Sequence, residues 1–261
     1  MQRQRFGRGF AAVAIVALIA AGCGDDDSDS NSEADAAGEP AAATGDGANV
    51  EAYCDAVLDV ETAPPPDVDF ESASPEEQAA ALRAYATDTV QPLVAEARAA
   101  APDEIADEAE VASQAFADMA ETGDPSVTEQ PDAVAAFATL HAFDLENCGW
   151  TRQDVTATEY AFAGLPDELA AGPVSFELGN DGSEMHELQL VRRNDGVTEP
   201  VEELLALPEE QVMSKVTPVG SGAFAPPGES GYMVVDLAAG DYIALCFVPT
   251  GMTGEDQPPA P

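Results

Sequence analysis

Side chains able to do chemistry are few in this chain of 261 residues. It has two histidines, His141 and His186, and four cysteines, Cys23, Cys54, Cys148 and Cys246. Cys246 stands near the end of the strand-like run "GDYIALCFV", and Met252 lies in the loop that follows. His186 comes 60 positions before Cys246, directly after the turn "NDGSEM". Thiolate, imidazole and thioether are the donors of soft and borderline transition-metal sites. Cys246 is therefore a metal ligand, a small buried hydrophobe or a free thiol. His141 has no second histidine nearby and is expected as a core or rim residue. No Ser-His-Asp set, phosphate-binding glycine loop, dinucleotide turn or zinc spacing is present, so no enzyme is expected.

These residues sit on a chain of unusual charge. Nine basic residues face 50 acidic ones, a formal net charge of −41, and Lys215 is the single lysine. Such a field repels phosphate backbones and anionic lipid, which argues against a nucleic-acid partner and favours cations. The acids are spread along the chain, the pattern of a solvated acidic surface.

The first 22 residues read as an export signal. Arg3, Arg5 and Arg8 make a positive start, residues 10–21 are apolar, and "LIAAG" leads into Cys23. This resembles a bacterial lipoprotein signal, which implies lipidation of Cys23 by acyl chains such as palmitate. The expected product is extracytoplasmic and anchored to the cell membrane, in an oxidising compartment. Residues 23–48, rich in Asp, Ser, Ala and Gly without an aromatic, are expected as a disordered acidic tether.

From residue 49 to 152 the apolar period is helical. Val50, Tyr53, Cys54, Val57 and Leu58 share one helix face, "TAPPPDVD" breaks it, and "SPEE" opens a second helix with a capping box. A third helix follows Pro102. A fourth carries Val134, Phe137, His141, Leu145 and Cys148 on one side and stops at Gly149. A four-helix bundle is expected, with a disulfide between Cys54 on its first helix and Cys148 at the end of its last. Two buried free thiols are the alternative.

After residue 155 the period shortens to that of strands. "TATEYAF", "GPVSFELGN", "MHELQLVRR", "SGYMVVDL" and "GDYIALCFV" are separated by turn residues, with "EPVEELLALPEEQV" as a helical insertion. Arg192 and Arg193 are expected as surface salt-bridge partners. The expected fold is α+β and multidomain: a helical bundle, a β-sandwich over 155–250, and a Pro/Gly-rich tail over 251–261.

Two stretches, "GPVSFELGNDGSEMHELQLVRR" and "PPGESGYMVVDLAAGDYIALCFVP", resemble the cupredoxin domain of blue copper proteins. The spacing of Leu237, Gly240, Tyr242 and Cys246 resembles the family's approach to its thiolate ligand. The resemblance implies a Greek-key sandwich, with copper held by His186 and Cys246 and with Met252 as a weaker axial donor. It also implies electron transfer or copper handling with a redox partner protein or another envelope component. The loop "FVPTGMTGEDQPPAP" holds no histidine, so the implied site lacks its second imidazole and the resemblance stops at the copper loop. The alternative is a metal-free binding or structural module of the cell envelope that uses the sandwich as scaffold.

Overall fold

The computed structural model describes residues 46–254, apart from 67, 69 and 71. Cys23, the expected signal and tail residues 255–261 lie outside the described residues. The expected tether does so up to residue 45. Helix α1, Asp46–Glu61, starts within the stretch expected as tether.

The helical part consists of four rods. After α1 come α2 (Pro75–Tyr85) and α3 (Gln91–Ala100), joined without a break by the π-helical turn Ala86–Val90. Pro92 explains that turn: it has no N–H for the Asp88 carbonyl and its ring crowds the same oxygen, so the helix widens just before it. Ser74 and Glu77 cap α2 reciprocally, the Ser74 N–H donating to Glu77 Oε2 at 2.8 Å and Pro75 occupying the first turn. Helix α4 (Ala106–Thr122) ends at Gly123, whose φ of 72° suits glycine. Helix α5 (Pro131–Asn147) ends at Cys148, and Gly149 turns the chain away. Val90, Val94, Phe116, Met119 and Phe137 form the helical core. A second cluster of Tyr53, Ile105 and Phe143 packs round the Cys54–Cys148 disulfide, whose Cα atoms are 5.3 Å apart.

Seven strands follow, where five were expected. They are β1 (Thr151–Thr158), β2 (Ala161–Ala163), β3 (Gly172–Asn180), β4 (His186–Arg193), β5 (Val216–Ala225), β6 (Ser230–Leu237) and β7 (Tyr242–Leu245). The stretch "TATEYAF" is a hairpin, because the chain reverses at Tyr160, a non-glycine residue with φ 66°. The expected helical insertion is two short helices, α6 (Val201–Leu205) and α7 (Glu209–Met213), with Pro208 between them. Strand β5 passes through Pro218, Gly220 and Gly222, and a register irregularity in its pairing with β4 absorbs them.

The strands form two sheets. Sheet A has the order β2-β1-β3-β6, with β1 and β3 parallel and the other pairs antiparallel. Sheet B has the order β5-β4-β7 and is antiparallel. Alternation sorts the faces. Val174, Phe176 and Leu178 of β3, Leu188 and Leu190 of β4, and Met233 and Val235 of β6 meet between the sheets. The other side of β3, with Ser175 and Glu177, faces the helices. The other side of β4 packs Val191 against Leu204 and Val216 under the short helices. The fold is thus layered: long helices, sheet A, sheet B, short helices. Arg192 pairs at the surface with Asp195 at 3.7 Å.

Candidate functional site

Between the helical layer and one edge of the sandwich, where β6 of sheet A meets β5 of sheet B, lies a cleft of about 640 Å³. Its walls are mostly apolar, with Phe116, Met119, Phe137 and Leu140 from the helices and Val219 and Val235 from the strands. The proline run 64–66, directly after α1, borders it.

A few polar groups converge on this cleft from α1, α5 and β6. On α5, His141 and Asp144 are both 4 % exposed. The His141 imidazole donates from Nε2 to Glu177 Oε1 of β3 at 2.9 Å. It also lies flat on the Tyr232 ring of β6, with centroids 3.4 Å apart and planes 8° from parallel. Ser175 Oγ donates to the same Glu177 oxygen at 2.6 Å. Burial pushes the Glu177 pKa up, but the bonds from His141 and Ser175 outweigh it and hold the carboxyl below its ordinary value.

Asp144 is placed differently. Tyr53 of α1 lies beside it, while its Oδ1 is buried with no hydrogen-bond partner. Burial and the neighbouring Glu61 charge raise its pKa to about 8, against the polar Tyr53 side chain, which lowers it. Glu61, at the C-terminus of α1, is also raised by burial, with His141 opposing. Two acids with raised pKa values therefore share one cleft, where the nearby imidazole is already committed to Glu177.

The residues expected to bind metal lie at the far end of β4. His186 is its first residue, opposite Ala225 of β5, and is 6 % exposed with Nε2 unpartnered. Gly182 closes over the ring: a Cβ there would lie 2.8 Å from His186 Nε2, 2.9 Å from Glu159 Oε1 and 3.0 Å from Asn180 Oδ1. Asn180 holds this turn by donating from Nδ2 to the Glu184 and Ala225 carbonyls, both at 2.7 Å. Glu159, from the β1–β2 turn, accepts from the Ser183 N–H and hydroxyl, which helps hold its pKa down to about 2.

Cys246 follows β7 directly, and its Sγ accepts the Glu187 N–H at 3.4 Å. The residue is exposed as a whole, but its sulfur lies against β4, and that burial pushes the thiol pKa up. The Met252 carbonyl accepts the Met185 N–H at 2.7 Å, and the Gly251 N–H donates to Glu184 Oε2 at 2.9 Å. The loop from Cys246 to Met252 thus binds the residues on both sides of His186. Among the described residues no three His, Cys, Asp or Glu side chains gather into a group able to hold a metal.

Glu61 and Asp144 escaped the sequence reading. The signal for Asp144 was present: it falls three positions after His141 and seven after Phe137, inside the apolar stripe of α5, where a carboxylate is costly to bury. Glu61 carried no such mark beside the breaking sequence "TAPPP". Compared with known proteins, the chain matches no family model, no curated protein and no solved structure.

Proposed function

We propose that this protein is a lipid-anchored extracytoplasmic binding module whose ligand site is the cleft between the helices and sheet A. One observation carries the reading: a 640 Å³ concavity, mostly apolar, into which a few buried polar groups converge from α1 and α5. That is the usual make-up of a small-molecule site. The Cys54–Cys148 disulfide supports an exported protein, since such bonds persist in oxidising compartments. The test is a titration with N-phenyl-1-naphthylamine, a neutral dye that brightens in apolar sites. Saturable, stoichiometric binding is expected. It should be lost in Leu140→Trp or Val219→Trp, which fill the cleft from opposite walls, while the far-ultraviolet spectrum stays native. No saturable binding, or binding unchanged in both filled variants, overturns the reading.

A second reading is copper binding for electron transfer or copper handling, with a redox partner. What favours it is the buried, unpartnered Nε2 of His186 beside a loop that carries Cys246 and Met252. The two-sheet pairing, β2-β1-β3-β6 with β5-β4-β7, supports a cupredoxin-like Greek key. The donors fit copper in kind but fall short in number. Adding Cu(II) should produce a visible thiolate-to-copper absorption that Cys246→Ala removes. No band, or a band that survives the substitution, sinks this reading.

A further inference from the structure

We infer that the ligand of the cleft is an organic cation, an ammonium or alkylated ammonium group on an apolar body, received by Asp144 and Glu61. This rests on the cleft being a binding site and adds the chemical class of its occupant.

The first support is an unpaired acceptor. Asp144 is 4 % exposed, lines the cleft, and keeps Oδ1 without any hydrogen bond. A buried polar atom left unsatisfied is costly, and a donor from a ligand would relieve that cost. The second is the charge balance around it. The titratable groups facing Asp144 and Glu61 are Tyr53 of α1, His141 of α5 and Tyr232 of β6, with Glu177 of β3 behind His141 and Tyr232. His141 is spent on Glu177. At the rim, Arg98 of α3 is paired with Glu110 of α4, and Asp236 adds another acid. Among the described residues lining the cleft, no cation is left for Asp144 and Glu61.

The walls fit the rest of such a ligand. Tyr53, Tyr85, Phe116, Phe137 and Tyr232 border the cleft, and aromatic faces attract cations as well as apolar groups. An anionic ligand would meet two acids with no cation beside them and the field of a chain at −41, whereas a cation would be drawn in. A bare metal ion is a poorer fit, since the described residues offer no group of three acid, histidine or cysteine ligands. In the empty cleft, burial raises the pKa of both acids, that of Asp144 to about 8, so Asp144 holds its proton near neutral pH. An arriving ammonium takes the place of a proton, which leaves to solvent, so binding of the cation is linked to proton release.

The test compares three probes of matched shape as competitors of the bound dye: 4-phenylbutylammonium, 4-phenylbutan-1-ol and 5-phenylvalerate. The ammonium should displace the dye at least about tenfold more tightly than the alcohol, with the carboxylate weakest. Asp144→Asn and Glu61→Gln should each remove most of the ammonium's advantage and leave the alcohol within about threefold. Calorimetry at pH 7 in two buffers of different ionisation enthalpy should show proton release for the ammonium and none for the alcohol. Equal competition by ammonium and alcohol in a protein that binds the dye overturns the cation inference alone, as does a preference that survives both substitutions. Failure of the dye itself to bind overturns the cleft reading, and this inference with it.

Discussion

The His141 imidazole of α5 donates to the Glu177 carboxylate of β3 at 2.9 Å, and this bond joins the helical layer to sheet A. With Tyr232 stacked under the same ring, the histidine forms one wall of the cleft and fixes the distance between its two sides. A residue that reads from sequence as ordinary core is a bridge between layers. His141→Phe should keep the stack but leave Glu177 with Ser175 alone. The expected loss is about 2–4 kcal/mol in chemical denaturation. A change below about 0.5 kcal/mol, the range of ordinary surface substitutions, would mean that the bridge does not hold the layers.

The disulfide closes a loop whose ends are 94 residues apart. Constraint of the unfolded chain alone corresponds to roughly 4–5 kcal/mol for a loop of that size. Cys54→Ala with Cys148→Ala should lower unfolding stability by up to about that amount. Equilibrium denaturation of the oxidised, reduced and doubly substituted proteins measures it, and the last two should agree.

Asp144 should leave a signature in the pH dependence of stability. Its ordinary value of 3.8 rises to about 8 in the folded protein. Between these values the native state holds a proton that the unfolded chain has released. Stability should therefore fall as pH climbs from about 4 to about 8, then level off. Glu187, raised to about 7 by burial although it accepts the Phe247 N–H, adds a decline of the same sign that ends near 7. Melting temperatures across this range should fall less steeply in Asp144→Asn than in the native protein. Parallel curves would show that Asp144 titrates normally.

Gly182→Ala should disturb the other end of sheet B. The added methyl would sit within 3.0 Å of His186, Glu159 and Asn180 atoms, and the buried ring has little room to retreat. A cost of about 1–3 kcal/mol is expected, as for overpacking elsewhere. A thermal melt checks it. An unchanged melting temperature would mean that the turn over His186 yields freely.

Much of the fold was legible where local chemistry and tertiary packing agree. Ser74 with Glu77 and Gly149 mark helix ends through hydrogen bonds and backbone freedom that need no distant partner. Cys54 and Cys148 are readable as a pair because helix period and export both point to it. Strand β5 was hidden because Pro218, Gly220 and Gly222 are strand breakers in isolation, and only pairing with β4 makes them strand residues. The turn at Tyr160 was hidden because no glycine marks it; Glu159, beside it, is held across the fold by Ser183. The cleft could not be read at all. Glu61, Asp144 and Tyr232 come from three separate elements, and their convergence is a product of how the helices lie on sheet A.

The most direct measurement is a crystal structure of the protein grown with N-phenyl-1-naphthylamine at saturating concentration. Density for one dye molecule between Leu140 of α5 and Val235 of β6, beside Asp144, is the expected result. Dye bound elsewhere, on the outer face of sheet B or against the disulfide cluster, with the cleft between helices and sheet A left empty, would contradict the assignment of that cleft as the ligand site.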